Sequence, residues 1–154
     1  MDELELLVAN MKGVNVWKVL EPILKRYLPE MLNQNLFQLD RGEDALGNFL
    51  DQYSSSIKTS AGYITYAEFK SQLNTYHAPY GIPDLELTGD FKDGMYNKIQ
   101  GKGIEFGSKD KKEGTLESDY GVNIFGVQEE ELGVILIEQV LPDFQEAMLN
   151  ELLK

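Results

Sequence analysis

The stretch DFKDGMYNKIQGKGIEF, residues 90–106, decides the fold. From Phe91 to Ile99 it reads as a strand, with Met95, Asn97 and Ile99 on one side. Gly101-Lys102-Gly103 follows, and its glycines supply the positive φ angles that a tight hairpin needs. Ile104 and Phe106 then alternate on a return strand. Just upstream, Leu85 and Leu87 alternate with charged neighbours until Thr88-Gly89-Asp90 interrupts them. Gly89 permits a backbone angle that other residues resist, and Thr88 and Asp90 can bond local amides. Thr-Gly-Asp therefore reads as a structural turn that sets the register of the Phe91–Ile99 strand, rather than as an adhesive or catalytic loop.

Helical patterns flank this hairpin. Leu4, Leu7 and Val8 have helical spacing, Gly13 breaks the run, and Asn15 is positioned to cap a second segment containing Val16, Val19, Leu20, Ile23, Leu24, Tyr27 and Leu28. Pro22 and Pro29 inside that segment predict kinks or consecutive short helices, because each removes a donor and crowds the preceding turn. From Asn35, Leu36, Phe37 and Leu39 precede a polar turn and Phe49, Leu50 and Tyr53 follow it, which reads as an extended, hairpin-like excursion. Residues 54–62 read as exposed loop. Thr65 and Glu68 have capping-box spacing, predicting a short helix from about Tyr66 to Thr75. Lys109 to Tyr120 reads as a polar helix with Gly121 as its terminating glycine. A last helix starts near Glu129, where three successive glutamates complement the helix dipole. Its expected buried stripe is Leu132, Ile135, Leu136, Val140, Phe144, Met148 and Leu152, with Glu130, Glu138 and Glu146 on the wet side and Pro142 kinking or splitting it.

The expected architecture is a single α+β domain over residues 1–154. An N-terminal helical segment (1–34) and a C-terminal helix (129–154) pack on a small antiparallel β-sheet within a mixed body (35–128). A chain of 154 residues, 42% hydrophobic and 26% charged, suits one core. Its longest aliphatic run, Val134 to Ile137, is far short of a bilayer span, and its first ten residues are acidic where a secretory leader is basic. With no cysteine, disulfides, thiolate zinc sites and cysteine nucleophiles are excluded. The formal charge is −12, from 26 acids against 14 bases, and nine of the acids lie between Thr115 and Leu153, where there is no base. Such a surface repels phosphate backbones, so direct nucleic-acid binding is not expected, whereas a basic protein partner would suit it. The same acidity also serves solubility alone.

No constellation amounts to an active site, and no cofactor or metal site is expected. Ser55-Ser56-Ile57-Lys58 matches S-x-x-K, but the serines read as loop and the larger elements of such enzymes are missing. The glycine-centred acid clusters around Gly94 and Gly114 lack the oxygen ligands of a calcium loop, and Asp40, Glu43 and Asp44 are what a polar turn carries anyway. His77, the one histidine, stands beside a Pro/Gly connector with no motif nearby. Gly101-Lys102-Gly103 lacks phosphate-loop spacing. Trp17, Tyr27, Phe37 and Tyr53 read as core.

The order of these features carries a resemblance. "NQNLFQLDRGEDALGNFLDQYS", then "PDLELTGDFKDGM", then "LESDYGVNIFGVQEEE" and a terminal helix, resemble the small tailed-bacteriophage head–tail connector, tail-completion or virion morphogenesis proteins. The resemblance runs from about Asn33 to the C-terminus and rests on order rather than on any single motif. Val127-Gln128 stand where relatives often place Ser or Thr before the last helix, and Asp93-Gly94 where a Ser is usual. The resemblance implies a non-enzymatic virion structural protein, made in the host bacterial cytoplasm, acting as a homo-oligomeric ring among connector, portal-adaptor or tail proteins, with no membrane partner. Glu130, Glu138 and Glu146 are then candidate interface residues. An acidic cytoplasmic adaptor or inhibitor of a basic protein is the competing expectation, and a small hydrolase using Ser55 and Lys58 a distant third.

Overall fold

The computed structural model describes residues 3–53, 56–59, 61–85 and 89–154. The chain is α+β, with a helical N-terminal arm and a C-terminal helix packed against an antiparallel hairpin. Helix α1 (Glu3–Gly13) stops at its glycine, and Asn15 caps α2 (Val16–Asp40) by accepting from the Lys18 amide at 3.2 Å. Pro22 and Pro29 do not divide α2, which runs 25 residues. An interior proline costs about 3 kcal/mol or more. Here that cost is offset by a face that buries Ile23, Leu24, Met31, Asn35, Gln38 and Leu39.

The same helix replaces the extended excursion expected from Asn35. Leu39 is fully buried, and Asn35 and Gln38, three residues apart, bond a distant segment of backbone. Tertiary contacts thus continue the helix six residues past the expected boundary at 34, to Asp40. Gly42 then reverses the chain at φ +74, where a Cβ would stand 2.3 Å from Ile82 Cγ2 and 2.9 Å from the Pro83 carbonyl. Only a bridge between Glu43 and Phe49 remains of the anticipated hairpin.

A hairpin forms instead from β1 (Ser56–Thr59), inside the stretch read as exposed loop, and β2 (Gly62–Thr65), which starts at that stretch's last residue. The Thr59 hydroxyl closes its turn, donating to the Gly62 carbonyl at 3.0 Å and accepting from the Ala61 amide at 3.3 Å. Thr65 and Glu68 form the capping box ahead of α3 (Tyr66–Ser71), which ends before Thr75. Residues 90–93 form a single helical turn, α4 (Asp90–Asp93), so the strand expected from Phe91 starts later, as β3 (Met95–Gln100). The Asp93 and Gly94 amides close that turn onto the Gly89 and Asp90 carbonyls, placing Phe91 in the core at 4% exposure. Strand β4 (Gly103–Ser108) returns antiparallel, with Ile99 opposite Ile104 and Asn97 opposite Phe106. Helix α5 (Glu113–Tyr120) ends at Gly121, and a short 3-10 turn (Val122–Ile124) leads on.

The final helix is one rod of three parts: α6 (Glu129–Val134), a π-helical segment (Ile135–Val140) and α7 (Leu141–Leu152). Pro142 neither splits nor stops it. Proline has no N–H to give the Glu138 carbonyl and crowds it. The turn before it opens, and the Leu141 amide bonds the Leu136 carbonyl five residues back. Two buried clusters meet along α2. One gathers Leu39, Leu50, Ile82, Phe91, Met95 and Ile124 at its C-terminal end, and the other gathers Ile23, Leu24, Met31, Ile135 and Val140 nearer its start.

Candidate functional site

A groove of about 780 Å³ opens where α2, the β3–β4 hairpin and the C-terminal helix meet. Trp17, Leu20, Leu24 and Met31 line it from α2, Ile104 and Phe106 from β4, and Leu132, Leu136, Val140, Leu141 and Phe144 from the C-terminal helix. Lys102, on the hairpin turn, reaches its edge. The π segment sets which residues face where. Ile135 and Val140, five apart, are 2% and 4% exposed and belong to the core, Val140 also lining the groove. Leu136 and Leu141, also five apart, are 36% and 43% exposed and line the groove. A wider turn brings residues five apart onto one face. This overturns the expected burial of Leu136, which was read from a regular 3.6-residue period.

The backbone leading into this helix is held by side-chain amides rather than by a strand. Asn35 Nδ2 donates to the Ile124 carbonyl at 2.9 Å, and Asn35 Oδ1 accepts from the Gly126 amide at 3.1 Å. One turn later Gln38 Nε2 donates to the Gly126 carbonyl at 3.0 Å, and Gln38 Oε1 accepts from the Gln128 amide at 2.8 Å. Both side chains are essentially inaccessible. Asn97 Nδ2 ties β3 to the Leu28 carbonyl at 2.7 Å, fixing the hairpin beneath α2. Asp143 accepts from the Tyr27 hydroxyl at 2.6 Å and from Arg26 at 3.1 Å, joining α7 to α2. That carboxylate raises the Tyr27 phenol above its ordinary pKa, since the bond favours the neutral phenol.

A second cluster lies beside α3. Lys70 and Asp84 pair at 2.8 Å with side chains only 1% exposed. Tyr53 and Tyr66 meet edge to face at 4.6 Å, and the Tyr76 hydroxyl donates to the Ile82 carbonyl at 2.8 Å. Burial, reinforced by the Asp84 charge, pushes all three phenols above their ordinary pKa. The pair fastens α3 to the 82–85 connector, where Leu85 takes the left-handed φ of +54.

The residues singled out from the sequence stand apart from one another. Gly89 has φ +82 and precedes α4, whose first residue Asp90 is exposed; Thr88 and Leu87 lie outside the described residues. Gly121 has φ +86 at the end of α5. Glu130, Glu138 and Glu146 are exposed on the C-terminal helix. Ser55 is outside the described residues, Lys58 lies on β1, and His77 is exposed. Asp40 pairs with Lys92, Glu43 with Arg41 and Gln128, and Asp44 caps the amides of Leu46 and Asn48. Among the described residues no three His, Asp or Glu side chains gather as a metal site, and no helix is long and apolar enough to cross a membrane. The groove itself went unread in the sequence. Its signal in the sequence was the apolar stripe of the last helix, of which Leu132, Leu136, Val140 and Phe144 line it.

No protein-family model, no curated protein and no solved structure matches the chain.

Proposed function

We propose that this chain is a non-enzymatic structural protein of a tailed-phage virion, at the head–tail interface, working through ring assembly and protein–protein contacts. One observation carries the reading: the separated segments on which the family resemblance rests pack on one another. Gln38 of the "FQLDRG" segment bonds the Gly126 and Gln128 backbone of "NIFGVQ". Gly42 of the first segment lies against Ile82 and Pro83, at the entry to "PDLELTGDF", and Phe91 of that segment packs on Phe125 at 6.0 Å between ring centres. The motif order is thereby a set of mutually dependent fold determinants, which is what a family pattern would preserve in a protein without an active site.

The test is assembly and position. Antibody labelling of virions should decorate the neck, and purified protein mixed with its portal or tail neighbours should sediment as a closed ring. Absence of the protein from purified particles would sink the reading. The base-free run from Thr115 to Leu153 favours the second reading, an acidic adaptor for a basic partner. Capture of a single basic cytoplasmic protein, without any particle association, would select it.

A further inference from the structure

We infer that the β1–β2 hairpin and α3 form a strap that opens from the body as one unit, with the buried Lys70–Asp84 pair as its latch. The inference goes beyond both functional readings above and depends on neither.

The strap is organised from within. Its strands pair from Ser56 with Thr65 to Thr59 with Gly62, and the Thr65–Glu68 capping box joins the hairpin to α3. Tyr66 and Phe69 pack on each other at 5.9 Å between ring centres. The strap takes little from the interior. Among the described residues, neither hydrophobic cluster draws a side chain from β1, β2 or α3. The face of α3 turned to the body is polar and aromatic instead. Lys70 is its deepest residue, fully buried, with its ammonium 2.8 Å from Asp84 and 5.7 Å from the centre of the Tyr76 ring. Tyr66 meets Tyr53 edge to face, and Ala67 lies over Gly81, where a Cβ would stand 3.9 Å from its own. The surface that receives the strap belongs to the body. The Tyr53 amide donates to the Gly81 carbonyl at 2.9 Å, the Tyr76 hydroxyl donates to the Ile82 carbonyl, and Ala78 and Ile82 are members of a hydrophobic cluster.

A charged seam behaves differently from an apolar one. Closing it strips water from an ammonium and a carboxylate, and their mutual attraction does little more than offset that penalty. Opening returns both charges to water, whereas opening an aliphatic seam would expose apolar surface. The strap therefore opens at lower cost than α2, which has Met31 and Leu39 fully buried in the two clusters. Opening bares two surfaces of matched charge, the Lys70 face of α3 and the Asp84 side of the connector.

The absence of cysteine makes thiol labelling a clean test. Ala67→Cys puts a small thiol on the buried face of the strap, and Leu39→Cys puts one in the core. Each full-length variant is reacted with an excess of thiol reagent across a urea series. Ala67→Cys should label at least about a hundredfold faster than Leu39→Cys in buffer, and its rate should climb less steeply with urea, because opening the strap exposes less surface than unfolding. Adding Lys70→Met with Asp84→Leu should slow labelling of Ala67→Cys at least about tenfold, since an apolar pair closes without the desolvation penalty. Because two apolar side chains can pack badly in a site shaped for a charged pair, Asp84→Asn gives a second reading. It strands the Lys70 ammonium and should speed labelling of Ala67→Cys at least about tenfold. Equal protection of the two thiols, a common urea slope, or a rate at Ala67→Cys that Asp84→Asn leaves unmoved would overturn the inference.

Discussion

Helix α2 and the C-terminal helix face each other across one core, and each contains proline, yet they resolve it in opposite ways. Through Pro22 and Pro29, α2 stays α-helical and buries six residues, two of them amides locked onto distant backbone. The C-terminal helix meets Pro142 with a π segment, buries only Ile135 and Val140, and leaves Val134, Leu136, Ile137, Leu141 and Leu149 substantially exposed. The difference teaches where each helix obtains its stability. The interior fastens α2 from several directions, so its missing hydrogen bonds are tolerated. The C-terminal helix is fastened along one side, and its backbone adjusts instead. Leu136 and Leu141 stay half-exposed on it as a result.

Removing one amide lock would strain the comparison most. Asn35→Ala deletes two hydrogen bonds and strands the Ile124 carbonyl and the Gly126 amide in or beside the core. The expected loss is about 2–4 kcal/mol in urea melts. A loss under about 0.5 kcal/mol would mean that α2 is not held by its amides. Next in size are the prolines. Pro29→Ala should raise stability by about 1–2 kcal/mol, since the donor it restores in a regular helix outweighs the freedom it returns to the unfolded chain. Pro142→Ala should change it by less than about 0.5 kcal/mol, because the π turn has already accommodated the missing donor. Equal gains at both sites would erase the distinction. Leu141→Gln, on the groove, is expected to cost under about 1 kcal/mol in thermal or urea melts, because the leucine is 43% exposed. A large loss there would place Leu141 in the core and close the groove.

The sequence was most legible where local chemistry decides structure. Asn15 capping α2, the Thr65–Glu68 box, the Gly101–Lys102 turn, the Ile104/Phe106 alternation and Gly121 at the end of α5 are settled by residues within a few positions of one another. It misled where distant contacts override propensity. Leu36 to Leu39 look extended because the partners of Gln38 and Asn35 lie about ninety residues away. Phe91 looks like a strand residue, but the closure of Gly89 onto Asp93 winds it into a helical turn. The groove was hidden for a further reason. The stripe counted from the sequence puts Leu132, Leu136, Val140 and Phe144 on one face, and all four line the groove; a period does not say whether a neighbour covers that face, and Leu136 stays 36% exposed. Glu130, Glu138 and Glu146 were legible as wet because they fall opposite the apolar stripe, whereas the meeting of Trp17 and Leu141 at the groove required the fold.

The amide lock also dictates an order of events. Asn35 and Gln38 bond partners 88 to 91 residues further along the chain. During synthesis, α2 emerges long before residues 124–128 exist, and those two amides must stay hydrated until the last fifth of the protein arrives. Closing so long a loop is slow relative to forming a local helix or hairpin. The C-terminal helix therefore docks onto elements made before it, and its entry segment is fixed only when the two amides find it.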